Sequence, residues 1–206
     1  MKPERRGLIA LDGDGVLLDY ANAYGQAWAS FVGHEVKVID PQAYFAHHRW
    51  GVPWLRGAEL SGFQACFDTQ FWSSIPAIEG ALEACELLVK NGCELVCVTA
   101  LHHEYRQARL ANLQALGFPI QTVYTTPQVK GESLGRSPKA DTLNELCPVA
   151  FVDDFLPYLR GISSPIHTGL VMRQPNGNPN DGQSALTMVG SVHTDLLDFA
   201  RWWVAD

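Results

Sequence analysis

The sequence contains no Cys-x-x-Cys pair, and its cysteines are odd in number: Cys66, Cys85, Cys93, Cys97 and Cys147. That leaves neither a complete disulfide framework nor a clustered thiolate site, so the thiols read as reduced core groups of a cytosolic protein. Basic side chains are also scarce, 15 Lys and Arg against 22 Asp and Glu, for a net charge of −7. This balance argues against a nucleic-acid polymer as partner, since such a partner calls for a basic face. A few local donors can still hold one small anion. A long apolar run is missing at the N-terminus, where the charged MKPERR leads into a run that stops at Asp12. Such a run is too short for a signal-peptide core or a membrane span. The expectation is a cytoplasmic chain without membrane or nucleic-acid partners, acting as a monomer or homodimer.

The chain does have the means for a substantial core: 206 residues, 47% of them hydrophobic. That length suits one domain of ordinary size carrying a smaller insert. Short continuous apolar runs occur at 8–12, 94–99, 122–126, 149–153 and 168–172. Continuous rather than alternating runs suit strands of a parallel sheet covered on both faces. Helical patterns lie between them. One opens at Pro76 and runs to Lys90, stopped by Asn91-Gly92. Others cover 103–116, closed by Gly117, then 139–146 before Pro148, and an aromatic-rich 194–204. Strands alternating with helices predict an α/β, Rossmann-like fold with right-handed crossovers. The stretch 174–183 reads as a turn-forming loop, and no internal repeat is evident. Between Val16 and Ile75 the alternation breaks, with helix-like segments near 20–32, 41–48 and 58–72 and no strand. This divides the chain into a core of residues 1–16 and 76–206 and a helical insert of residues 17–75.

The first apolar run ends in Asp12-Gly13-Asp14-Gly15-Val16. An EF-hand loop counted from Asp12 fails, because Val16, Leu17 and Ala23 stand where it needs an oxygen ligand, glycine and glutamate. A plain polar turn is the bland alternative. Carboxylates at the C-terminal edge of a parallel sheet, however, lie where α/β proteins bind ligands, and crowded carboxylates invite an oxygen-seeking cation such as Mg²⁺. Three further features occur in order: Thr99 at the end of the second run, Lys139 at a helix start, and Asp153-Asp154 at the end of the fourth run. Lys130 competes with Lys139 but stands farther from the next helix.

Asp12-Gly13-Asp14-Gly15-Val16, Thr99, Lys139 and Asp153-Asp154 together resemble the four motifs of the haloacid dehalogenase-like hydrolase superfamily. The resemblance implies Asp12 as nucleophile, Asp14 as general acid and base, and Thr99 with the Ala100 backbone amide as phosphate holders. It implies Lys139 as charge balance and as a further phosphate holder. Mg²⁺ is expected on the Asp12 side chain, the Asp14 backbone carbonyl and Asp154, with Asp153 behind them. The second acid, Asp14, favours phosphate chemistry over carbon–halogen cleavage. The position of the insert implies a helical cap of the type that follows the first motif, and 126–139 is too short for the other type. The implied activity is a phosphatase of a small phosphorylated metabolite. The alternatives are a phosphomutase or phosphotransferase, a nucleotide monophosphatase suggested by 71–84, and a non-catalytic phosphate-binding protein.

Within the insert, Phe63, Phe67 and Phe71 recur as one helix face and read as core. Trp50 and Trp54, beside Gly51 and Pro53, read as the better substrate contacts. Arg49 and Arg56 read as surface charge. The pairs His47-His48 and His102-His103 have no companions at metal-ligand spacing.

Overall fold

Six strands pair in parallel in the order β3-β2-β1-β4-β5-β6 in the computed structural model, which describes residues 6–127, 135–172 and 187–205. They are β1 Gly7–Leu11, β2 Cys93–Ala100, β3 Val123–Thr126, β4 Ala150–Asp153, β5 His167–Val171 and β6 Ser191–His193. The order reverses at β1 and β4, so the crevice beyond their C-terminal ends is the ligand position expected of such a sheet. Among the described residues, no helix is long and apolar enough to cross a membrane.

Both faces of the sheet are covered, which explains the unbroken apolar runs. Ile9, Leu11, Leu95 and Cys97 pack with Leu88, Leu113, Phe199 and Trp203 on one side. Ala10, Val96, Val98 and Phe151 pack with Leu143, Leu156 and Ile166 on the other. The flanking helices are α5 Ala81–Lys90, α6 Arg106–Ala115, α7 Ala140–Leu146 and α8 Leu196–Val204. Helix α8 docks the aromatic face that the sequence left unplaced. Its Phe199 comes so close to Gly169 that a Cβ there would stand 3.2 Å from the ring. Burying Phe199 and Trp203 stabilises the domain by about 1.5–3 kcal/mol per side chain.

Four details depart from the sequence reading. Strand β6 was not foreseen: it is three residues long, and Val192 at its centre is 44% exposed, so no apolar run announces it. Helix α5 begins at Ala81, not Pro76, because residues 76–78 pair with the chain leaving β1. The Asp19 amide donates to the Pro76 carbonyl at 2.8 Å and the Ile78 amide to the Leu17 carbonyl at 2.9 Å. The two crossings between core and insert are thereby stitched together, and Leu17 and Leu18 are wholly buried in the main core. The segment 58–72 is two helices rather than one, and the segment 41–48 forms only one turn of helix.

The insert comprises α1 Tyr20–Val32, α2 Ala46–Arg49, α3 Gly57–Gln64 and α4 Thr69–Trp72. Asp19 caps α1 by accepting from the Asn22 amide at 3.1 Å, and Gly33 ends it in the left-handed conformation at φ 77°. Asp68 starts α4 by accepting from the Phe71 amide at 2.9 Å, which breaks the longer helix there. Phe63, Phe67 and Phe71 still meet edge to face in series, with centroids 5.1 and 4.8 Å apart, so the core reading of that stripe survives the break. Trp50 is an anchor: its indole Nε1 donates to the Ala21 carbonyl at 2.6 Å, and its ring occupies the space a side chain at Gly25 would need. The loop 174–183 and Lys130 lie outside the described residues.

Candidate active site

Asp12 follows β1 directly, and its amide extends the ladder by donating to the Val152 carbonyl at 2.9 Å. This places its carboxylate beside those of Asp153 and Asp154 after β4. One oxygen from each of the three lies within 4.8 Å of the others, and all three residues are buried. Lys139, fully buried at the start of α7, inserts its Nζ between them, 2.6 Å from Asp12 Oδ1 and 2.7 Å from Asp153 Oδ2. The ammonium also lies 4.8 Å from the centre of the Tyr158 ring. Burial works against its charge, but the Asp12 and Asp153 carboxylates more than offset that and raise its pKa. Asp153 is pushed well above the usual carboxylate value, by burial first and then by crowding from Asp12 and Asp154, despite the pull of Lys139.

Both oxygens of Asp153 are engaged, Oδ2 by Lys139 and Oδ1 by the Phe155 amide at 2.8 Å. Asp154 instead faces Gly15, where an added Cβ would overlap its carboxylate. Gly15 also sits at φ 89°, so glycine serves both the turn and the close approach. Thr99 and Ala100 close β2 and face the same crevice. Gly13 brings the backbone close to Thr99, whose Oγ1 would stand 3.2 Å from a Cβ added there.

Asp14 takes a different partner. Its carboxylate receives Nη2 of Arg109 from α6 at 2.8 Å on Oδ1 and 2.9 Å on Oδ2. Arg109 is wholly buried and lies 5.3 Å from the centre of the Trp72 ring. Burial raises the Asp14 pKa, and Arg109 counters this only in part. Sequence reasoning missed Arg109, although a signal existed. It stands four residues before the buried Leu113, so a charge occupies the apolar face of α6.

A cavity of about 850 Å³ opens over these groups. Asp12, Asp14, Thr99, Ala100 and Asp154 form its floor, and rings from the insert and from the segment after β4 form its wall. Of the two tryptophans expected at a substrate, Trp54 lines it and Trp50 does not. His47 and His48, which had no assigned role, also line it. His102 and His103 do not; His103 Nδ1 pairs with Thr125 Oγ1 at 3.1 Å. Arg49 donates to the Pro41 carbonyl at 2.7 Å, away from the cavity.

No family model matches the sequence, and no curated protein does. Solved structures do match over nearly the whole chain. One is a predicted phosphoglycolate phosphatase from Haemophilus somnus, 15% identical, with TM-score 0.61 over 96% of this chain and 98% of that one. The chain has the haloacid dehalogenase-like hydrolase fold. A defluorinating L-2-haloacid dehalogenase shares it at 10% identity, with TM-score 0.60 over 100% and 99% of the two chains. So does a proposed beta-phosphoglucomutase from Thermotoga maritima, at 19% identity and TM-score 0.59 over 95% and 97%. This fold serves hydrolases and mutases alike, so the chemistry of this chain has to be argued from its own residues.

Proposed function

We propose that the protein is a Mg²⁺-dependent phosphatase of a small phosphorylated metabolite, acting through an aspartyl-phosphate on Asp12. One observation carries this reading. Two strand-end carboxyl groups share one cavity but have separate cationic partners, Asp12 with Lys139 and Asp14 with Arg109. Different environments for neighbouring carboxyls are the mark of divided catalytic roles.

The donor set fits a hard divalent cation, since three buried carboxylates converge with only one ammonium between them, and the crowding already raises Asp153. Asp12 and Asp154 would hold Mg²⁺ with the Asp14 carbonyl, and Asp153 would support it from behind, held by Lys139 and the Phe155 amide. When bound, Mg²⁺ would neutralise charge on the phosphoryl oxygens. Lys139 orients Asp12 for attack on phosphorus, and the bond to the ester oxygen breaks as the bond to Asp12 forms. Asp14 gives its proton to that oxygen. Asp14 then takes a proton from water, the water attacks phosphorus, and the bond to Asp12 breaks, releasing phosphate. Thr99 and the Ala100 amide hold phosphoryl oxygens during both displacements.

The test is phosphate release from phosphorylated metabolites with Mg²⁺ or with EDTA, for the native chain and Asp12→Asn. Release that requires Mg²⁺ and is abolished in the variant supports the reading. Transfer to a sugar hydroxyl with no free phosphate would mean a mutase or transferase. Halide release from a 2-haloacid, with no activity on phosphate esters, would overturn it.

A further inference from the structure

The cavity is much larger than a phosphate group needs, and what fills its wall is consistent in kind. Tyr44, Phe45, His47, Trp54, Phe155 and Tyr158 face it above the carboxylates. The wall is already assembled. Tyr44 of the insert stacks on Phe155 of the core, with centroids 5.9 Å apart and planes 23° apart. Tyr158 meets Phe155 edge-on at 5.0 Å. Trp54 stands at 87% exposure among these lining residues, a large flat face with room for a ring against it.

Among the described residues that line the cavity there is no lysine or arginine. The two buried cations beneath it are engaged, Lys139 with Asp12 and Asp153, and Arg109 with Asp14. Burial, and next the neighbouring His48, lower the pKa of His47 and favour its neutral form. A carboxylate or second phosphate on the leaving group would therefore meet rings and acids and, among the described lining residues, no lysine or arginine to compensate it, at a high desolvation cost. A cavity of about 850 Å³ lies within the range that takes a whole small organic molecule.

We propose that the alcohol released from the phosphate ester carries an uncharged ring system, stacked against the wall formed by Tyr44, Trp54 and Phe155. This deepens the phosphatase reading and rests on it. A nucleoside monophosphate or an arylmethyl phosphate belongs to the class, whereas phosphoglycolate and sugar bisphosphates do not.

The experiment compares kcat/KM of the full chain with Mg²⁺ on benzyl phosphate, cyclohexylmethyl phosphate, phosphoglycolate and acetyl phosphate. Benzyl phosphate should exceed its saturated counterpart by about tenfold and phosphoglycolate by more, since ring stacking adds to simple burial. In Trp54→Ala the ratio of benzyl to acetyl phosphate turnover should fall about tenfold, and Trp54→Phe should restore most of it. Trp54 is exposed, so loss of folding is not expected to obscure the result. Phosphoglycolate equal to or better than benzyl phosphate, or an unchanged ratio in Trp54→Ala, overturns the ring proposal and leaves the phosphatase reading standing. Failure on every ester and on the acyl phosphate, acetyl phosphate, with Asp12 never phosphorylated, overturns the phosphatase reading and the ring proposal with it.

Discussion

Replacing Arg109 by methionine keeps the length of the side chain but leaves the Asp14 carboxyl without its cation. Unit charges 4 Å apart attract by about 4 kcal/mol at an effective dielectric constant of 20, and the loss of hydration offsets much of that. Removing one partner of a buried pair typically costs about 3–5 kcal/mol, because the other charge is left uncompensated. Here the two partners differ. The Arg109 side chain is 0% exposed, whereas Asp14 keeps 25% of its own in contact with solvent. Asp14 can recover hydration when Arg109 is lost, and Arg109 cannot when Asp14 is lost. Asp14→Ala should therefore destabilise by about 3–5 kcal/mol and Arg109→Met by roughly 2–3 kcal/mol. The double variant should be more stable than the sum of the two losses implies, with a coupling of about 1–3 kcal/mol. The assay is urea unfolding in EDTA, so that cation binding adds nothing, followed by both tryptophan fluorescence and circular dichroism to confirm a single transition. Additive losses, or a larger loss from Arg109→Met than from Asp14→Ala, would refute the claim that burial asymmetry sets the cost. Enzymatically, Arg109→Met should lower kcat more than it raises KM, because it positions Asp14 and lies outside the cavity lining.

Gly15→Ala should abolish phosphate release and cost at least about 1–3 kcal/mol, since a side chain at φ 89° would also overlap the Asp154 carboxylate; a folded, active variant would contradict that geometry. Cys147 ends α7 at φ 47° directly before Pro148, a conformation that glycine adopts without strain. Cys147→Gly should stabilise by about 0.5–1 kcal/mol and raise Tm by a few degrees, as calorimetry would show. His167 and His193 share the Ser191 hydroxyl, each at 2.8 Å, and burial lowers the pKa of both. The unfolded chain therefore binds more protons than the native one below the ordinary imidazole value of about 6.5, so stability should be complete above that pH and decline as acid is added. A His167→Gln/His193→Asn variant should show a smaller Tm difference between pH 7.5 and 5.5, and an unaltered difference would refute the assignment.

Much of the site was legible locally. Asp12, Thr99 and Asp153 each follow or close an apolar run, and a run ended by a polar residue marks a strand reaching the edge of a covered sheet. The order of those ends, the helices between them and the strandless stretch after Val16 were likewise readable, because burial on both faces and helical periodicity are written in consecutive residues. The weak features were the ones with little burial or with competing local chemistry. Edge strand β6 has one buried residue, His193. The stripe through Phe63, Phe67 and Phe71 kept its spacing while Asp68 broke the helix beneath it.

The sequence by itself determined which carboxylates stand at the sheet edge and that a strandless helical stretch follows the first of them. Tertiary structure decided what those carboxylates meet. The Asp14 partner lies 95 positions away on α6, and the lysine that enters between Asp12 and Asp153 is buried by the packing of α7 against the sheet. The ring wall likewise joins Tyr44 of the insert to Phe155 after β4. Strand ends are set by the local alternation of burial and exposure. Ion pairs and cavity walls depend on how separate elements pack, and no spacing within one element encodes that.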